Sequence, residues 1–194
     1  TGTDAPAHAV ETYVTTTRTA ISLAFSRQAW SLLASNFGQV LANPMDLEAR
    51  SAMQLGATLA GMAIENSMLG ATHALANPLT AEFGIVHGEA ISLMLPHVIR
   101  FNSAACGNWY DELLQAGGAA GANGNGVSGG LADVVARLVN EARLPASLSE
   151  RDIPRDALPR LAADAAQQWT GQFNPRPVGA DELLEIYRQA FEAE

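Results

Sequence analysis

Two residues near the start of the chain, Asp4 and His8, have the types and the spacing of a metal-binding pair. They lie four residues apart in the segment TGTDAPAHAVE. On an α-helix this spacing places a carboxylate and an imidazole on one face, with their Cβ atoms about 5 to 6 Å apart. Both side chains could then bind one ion. The alternative is that Asp4 caps the helix and His8 is an ordinary surface residue.

Two more histidines, His73 and His87, lie in the apolar segment 72–102. A buried imidazole needs a polar partner, and that partner is more often a hydrogen-bonding group than a metal. However, one carboxylate and three imidazoles together suit a divalent ion such as Fe, Zn, Co or Ni better than Ca or Mg, which prefer oxygen. We therefore predict a single metal site formed by four side chains: Asp4, His8, His73 and His87.

The elements that must position these side chains are predicted to be helices. Apolar residues recur at three- and four-residue steps along the chain, and no segment has the alternating pattern of a strand. The predicted helices are 4–14, 20–41, 47–69, 73–83, 87–101, 103–116, 131–142, 155–169 and 180–191. We expect Asp46 to cap the third helix, Gly84 to end the fourth, and Pro96 to kink or break the helix that follows. The fold class is therefore all-α, a bundle-like single domain over residues 1–194.

Composition excludes several classes of function. The net charge is -9 and only 11 residues are Lys or Arg, which argues against nucleic-acid binding because phosphates need clustered cations. No apolar run reaches the roughly 18 to 20 residues of a membrane span. A single cysteine, Cys106, excludes an internal disulfide and fits a reducing cytoplasm, and we expect this thiol to be inert.

Two other features are interpreted as structural. The glycine-rich segment 121–126 is preceded by no predicted strand and followed by no Lys-Ser/Thr pair, so it is typical of a flexible connection rather than a phosphate-binding loop. His97 follows Pro96 in an apolar helix, and we interpret it as a structural histidine rather than a ligand.

Three segments of the chain resemble the C-terminal helical domain of the iron-containing (group III) alcohol dehydrogenase family. They are TGTDAPAHAVE, GATLAGMAIENSMLGATHALANPLTAEFGIVHGEAISLMLPHVIRFN and FNPRPVGADELLEIYRQAF. The D-x-x-x-H pair of that family matches Asp4 and His8, and its two later histidines, with thirteen residues between them, match His73 and His87. The resemblance implies that these four residues are the metal ligands, with Fe²⁺ as the expected ion and Zn²⁺ as the alternative.

The resemblance also implies a function. Family members are NAD(P)-dependent alcohol dehydrogenases or aldehyde reductases in which a divalent metal polarises an alcohol or carbonyl oxygen for hydride transfer. They carry an N-terminal α/β domain that holds the dinucleotide, and this sequence has no such strand-turn-helix unit. We therefore expect a fragment or a separately encoded partner, no activity from this chain alone, and a homo-oligomer. The alternative is a non-catalytic helical module that binds metal or mediates oligomerisation.

The sequence departs from the family at Asn77, where many relatives have another histidine near substrate and cofactor. An amide forms hydrogen bonds but does not titrate near neutral pH, so a proton relay at this position is in doubt and substrate positioning is the expected role. Ile64 and Trp169 stand where the family often has substrate-lining residues. Core packing is the alternative for both.

Overall fold

The computed structural model describes residues 2–118 and 130–192 of the chain. Within these ranges there is no strand, so the all-α prediction is confirmed. The α-helices are α1 (Asp4–Val14), α2 (Ala20–Ala42), α3 (Leu47–Glu65), α4 (Ala71–Phe83), α5 (His87–Ala116), α6 (Leu131–Glu141), α7 (Leu158–Ala166) and α8 (Ala180–Phe191). Short 3-10 helices occupy Ser149–Arg151, Arg155–Ala157 and Trp169–Phe173. None of the helices described here has the length and apolar composition needed to cross a bilayer.

The prediction that Pro96 interrupts the fifth helix is wrong. Pro96 lies inside α5, where the backbone angles stay helical, and the helix is kinked instead at Cys106, with φ -143° and ψ 29°. Pro96 is buried, as are Leu95 and Val98, whereas His97 is half-buried. The packing of these buried residues therefore outweighs the single backbone hydrogen bond that a proline removes.

Other boundaries differ by smaller amounts. The third helix ends at Glu65 rather than near Leu69, and α4 begins two residues before the predicted start. The segment predicted as one helix over 155–169 is divided among two 3-10 helices and α7. The glycine-rich segment 121–126, predicted to be a flexible connection, lies outside the described residues.

Local signals account for several helix ends. The Ala49 N–H donates to Asp46 Oδ1 at 3.0 Å, which confirms the predicted cap of α3. Helix α4 ends at Gly84 with φ +67°, a left-handed conformation that glycine adopts without steric cost. At the start of α2, Thr19 and Ser22 form a reciprocal capping box, in which each side chain accepts from the backbone N–H of the other.

Helix α5 connects the two halves of the core. It packs against α1 on one side and against α4 and α8 on the other, while α1 also contacts α2 and α3. Many of the buried side chains of α1 are small, and Ala7 and Ala9 are fully buried. Small residues allow the surrounding helices to approach closely, so Glu11 and Thr12 of α1 are buried, while Asp4 and His8 stay partly exposed.

The contact between α2 and α3 depends on a glycine. A Cβ atom added at Gly56 would lie 2.8 Å from Leu33 Cγ and 3.3 Å from the Ala29 carbonyl oxygen. Leu33 is completely buried, so it has little room to move. Gly61, one and a half turns later on α3, has no atom within 4 Å of the equivalent position.

We predict opposite effects for two substitutions on this helix. Gly61→Ala should raise the free energy of unfolding by about 0.5–1 kcal/mol, because alanine has the higher helix propensity. Gly56→Ala should lower it by about 1–3 kcal/mol, because overpacking against Leu33 outweighs the same propensity gain. Urea unfolding of the two variants measures the difference, and stabilisation by both would contradict the close packing at Gly56.

Candidate metal centre

The structure brings the four predicted ligands together around one carboxylate oxygen. Asp4 Oδ1 lies 3.2 Å from His8 Nε2, 3.5 Å from His73 Nε2 and 3.6 Å from His87 Nε2. The rings of His8 and His73 are stacked with centroids 5.0 Å apart, and those of His73 and His87 are tilted with centroids 5.5 Å apart. Three histidines up to 79 positions apart in the sequence therefore direct their Nε2 atoms to one carboxylate oxygen.

Three helix beginnings supply these side chains. Asp4 and His8 occupy the first two turns of α1, His73 is the third residue of α4, and His87 is the first residue of α5. The Thr3 hydroxyl donates to the Gly88 carbonyl oxygen at 2.6 Å. This bond joins the start of α1 to the start of α5 and so keeps Asp4 beside His87.

The interpretation of Asp4 as a helix cap is wrong. Helix α1 begins at Asp4 itself, and the residue at its N-cap, Thr3, makes no side-chain capping hydrogen bond. The Asp4 carboxylate instead turns towards the histidines. Its side chain is 22% exposed, whereas that of His73 is 5% exposed.

The distances fit a divalent cation. Four ligand atoms placed tetrahedrally about 2.1 Å from an ion are separated from one another by about 3.4 Å. In addition, Asp4 Oδ1 and His73 Nε2 are buried, and neither makes a hydrogen bond of normal geometry within the described part of the chain. Buried polar atoms in this state are unusual and a bound cation would satisfy both.

The fit is tightest for three of the four residues. Ligand atoms of Asp4, His8 and His73 all lie within 4.8 Å of one another. His87 stands outside that set, although its Nε2 faces the same oxygen, and its side chain is 39% exposed. These residues could hold a divalent ion with His87 at the open side.

Charges around His73 control its protonation. Burial lowers the pKa of His73, but the carboxylates of Glu11 and Asp4 outweigh this effect and raise the pKa to about 9. Burial raises the pKa of Asp4, yet the neighbouring His73 and His8 hold it well below its usual range. A cation that binds His73 must therefore displace a proton near neutral pH.

Glu11 is a site residue that the sequence reasoning missed. Its carboxylate is almost fully buried, accepts a hydrogen bond from the Thr72 N–H at 2.7 Å through Oε1, and contacts His73 Nδ1 through Oε2. Burial raises the pKa of Glu11, but the adjacent His73 lowers it below its usual value. A signal was present, because Glu11 follows Asp4 by seven residues and His8 by three, which places all three on one helix face.

Of the three residues expected near substrate, Asn77 lies on α4, Trp169 lies beside it, and Ile64 lies on α3. Asn77 is one turn after His73, and its amide donates to Gln168 Oε1 at 2.9 Å in a cleft of about 670 Å³. Trp169 begins a 3-10 helix that packs against α4, and it is 60% exposed, so core packing is the wrong explanation for this residue. Ile64 is half-buried near the end of α3.

His97 and Cys106 lie apart from the cluster. His97 lines a different cleft with Pro96 and Arg100 on α5. Cys106 is buried, its thiol donates to the Asn102 carbonyl oxygen at 3.2 Å, and burial raises the pKa of the thiol. A thiol that stays protonated is a poor nucleophile and a poor ligand, as expected for this residue.

Comparison with known proteins identifies related chains. Residues 1–191 match the model of the Fe-containing alcohol dehydrogenase family, C-terminal. The chain is 34% identical to 1,3-propanediol dehydrogenase of Citrobacter freundii over 98% of its own length and 50% of the relative. It is 30% identical, with the same coverage, to NAD-dependent methanol dehydrogenase of Bacillus methanolicus.

The structural comparison agrees with the sequence comparison. A crystal structure of 1,3-propanediol oxidoreductase superposes with a TM-score of 0.89 and 32% identity, covering 98% of this chain and 50% of that one. The chain thus spans about half the length of the curated relatives it matches. Because the family model covers nearly every residue, including all four clustered side chains, the chain belongs to the Fe-containing alcohol dehydrogenase family and corresponds to its C-terminal part.

Proposed function

We propose that this chain is the metal-binding, catalytic half of an NAD(P)-dependent alcohol dehydrogenase or aldehyde reductase. The observation that carries the proposal is the convergence of three imidazole nitrogens on Asp4 Oδ1 at 3.2 to 3.6 Å. The proposed ligands are Asp4, His8, His73 and His87. Family membership supports oxidoreductase chemistry on alcohols or aldehydes.

The donor set supports Fe²⁺ as the ion, with Zn²⁺ as the alternative. Imidazole nitrogen suits both metals, and a single carboxylate offers too few oxygens for Ca²⁺ or Mg²⁺. When bound, such an ion supplies Lewis acidity that polarises an alcohol or carbonyl oxygen. The role of Asp4 is to offset part of the ion's charge, while His8, His73 and His87 fix its position.

A second domain is part of the proposal. The described part of the chain contains no strand from which a dinucleotide-binding turn could be built, and the relatives are about twice as long. We infer that NAD or NADP is held by an N-terminal α/β domain. Val86, which precedes His87 and is 68% exposed, and a cleft of about 330 Å³ between Thr3 and Phe37 are apolar surfaces suited to contact with it. Assembly into a homo-oligomer stays a prediction.

The proposed substrates are small alcohols and the corresponding aldehydes or ketones, as the names of the relatives indicate. Asn77 is the proposed positioning residue, because its amide lies one turn after His73 and is oriented by Gln168. Trp169, beside α4, and Ile64, near the end of α3, are proposed to line the substrate path.

Metal binding tests the core of this proposal. We predict that the chain binds one equivalent of Fe²⁺, Zn²⁺ or Co²⁺. Asp4→Ala and His73→Ala should each weaken binding by more than about 100-fold, because loss of a ligand exceeds the 10–100-fold effect of losing an outer partner. Titration against a competing chelator measures the affinities.

His97→Ala is the matched control for a ligand variant on the same helix, His87→Ala. His97 is on α5 but lines another cleft, so its replacement should leave the metal affinity unchanged while His87→Ala lowers it. Full metal binding by the Asp4 and His73 variants would overturn the proposed site.

We also predict that metal affinity increases with pH. With a pKa of about 9, His73 carries a proton at pH 7 that the metal must displace. Apparent affinity should therefore rise by up to about tenfold per pH unit between pH 7 and 9 and then level off. Titrations at pH 7, 8 and 9 measure the trend, and an affinity that does not change over this range would be inconsistent with proton displacement.

The role of Asn77 can be tested in the complete enzyme that contains this chain. An amide does not titrate, so position 77 should contribute no ionisation to the pH profile of kcat. Asn77→His should add an ionisation at pH about 6.5 to this profile. Asn77→Ala should raise KM for the aldehyde more than it lowers kcat. A complete enzyme that binds metal but oxidises neither NADH nor NADPH when aldehydes are supplied would instead indicate the non-catalytic module.

A further inference from the structure

Glu11 makes two different contacts with its two carboxylate oxygens. Oε1 accepts from the Thr72 N–H at 2.7 Å, and Oε2 contacts His73 Nδ1. We propose that Glu11 is a positioning residue, which holds His73 in the tautomer protonated at Nδ1 and thereby presents the unprotonated Nε2 to the ion. This inference rests on the proposed metal site.

The first contact fixes the carboxylate to the backbone at the start of α4. Gly70, the N-cap of this helix, has no side chain to accept from the first free N–H groups. Two distant residues supply the acceptors instead. Asn174 Oδ1 accepts from the Ala71 N–H at 3.3 Å, and Glu11 Oε1 accepts from the Thr72 N–H. Glu11, which belongs to α1, therefore caps the N-terminus of α4.

The surroundings leave Glu11 little freedom to rotate. A Cβ atom at Gly70 would lie 3.1 Å from Glu11 Oε1 and 3.1 Å from Asn174 Oδ1, so the helix start fits closely over both acceptors. Asn174 is held in turn by Asn102 through two amide hydrogen bonds of 2.8 and 3.0 Å. With Oε1 used by the backbone, Oε2 is the oxygen that faces His73.

The second contact determines where the His73 proton lies. An ionised carboxylate only accepts hydrogen bonds, so the ring nitrogen beside Oε2 must be the N–H donor. A neutral imidazole has one N–H, and its position on Nδ1 leaves the lone pair on Nε2, which points to Asp4 Oδ1 at 3.5 Å. A carboxylate that accepts a hydrogen bond from a metal-binding histidine fixes the orientation of the ring. It also raises the basicity of the nitrogen that binds the metal.

Glu11→Gln separates this role from simple packing, since the two side chains have nearly the same shape. If the amide oxygen accepts from Thr72 N–H, the amide NH2 faces Nδ1 and favours the tautomer with its proton on Nε2, where the metal should bind. If the amide turns over, two donors face each other at Thr72. We expect Co²⁺ affinity to fall by about 10–100-fold and the visible absorption of bound Co²⁺ to change.

Tyr187→Phe on α8 is the matched control, because Tyr187, like Glu11, forms a hydrogen bond with the backbone of α4 from another helix. The Tyr187 hydroxyl donates to the Leu75 carbonyl oxygen of α4 at 2.6 Å and is buried. Its removal should lower the Tm of the chain without changing Co²⁺ affinity or spectrum. A Glu11→Gln variant that is folded and binds Co²⁺ with the affinity and spectrum of the unsubstituted chain would overturn the role of Glu11.

A direct measurement does not depend on any variant. In the Zn²⁺-loaded chain, ¹⁵N NMR of the His73 ring should show a protonated Nδ1 and a metal-bound Nε2, and a metal-bound Nδ1 would overturn the inference even if Glu11→Gln fails to fold. If the unsubstituted chain binds neither Co²⁺ nor Zn²⁺, the proposed metal site itself is wrong. That outcome is distinct from unchanged affinity in the Gln variant, which rejects the role of Glu11 alone.

Discussion

Charge buried inside a small helical domain has to be compensated, and the cluster around Asp4 and His73 is where this chain meets that requirement. Glu11 and His73 are 3% and 4% exposed, far from the solvent that would normally stabilise an ion. Burying a charge without a partner costs several kcal/mol, about as much as a domain of this size has in net stability. The arrangement of α1, α4 and α5 therefore depends on each of these groups facing an opposite charge or a backbone donor.

The ends of the helices add to this compensation. Asp4 begins α1, Glu11 accepts from the second residue of α4, and His87 begins α5. Helix N-termini carry partial positive charge and favour nearby anions. Three such termini surround two carboxylates, which explains how acidic side chains are accommodated in an apolar interior. The same carboxylates supply the negative potential that a cation needs among three imidazoles.

Much of this organisation was predictable from the sequence, and the exceptions have physical reasons. The types and spacing of Asp4 and His8 predicted one face of a helix, and the cluster is present. The helix is not broken at Pro96, because the local rule for proline does not include the packing around the buried residues of this part of α5. The spacing of Glu11 indicates the helix face that it shares with Asp4 and His8, but its contacts are with Thr72 and His73, about sixty residues away, and a sequence pattern within one helix does not contain them.

The histidines differ in exposure, so the cluster has one side that is open to solvent and one that is buried. His73 is enclosed behind the other side chains, whereas His87 is 39% exposed and stands at the start of a helix whose preceding residue is open to solvent. An ion approaching from outside would meet His87 before it reached the enclosed nitrogen. The residence time of an ion in this cluster would then depend on how far its outer side is covered.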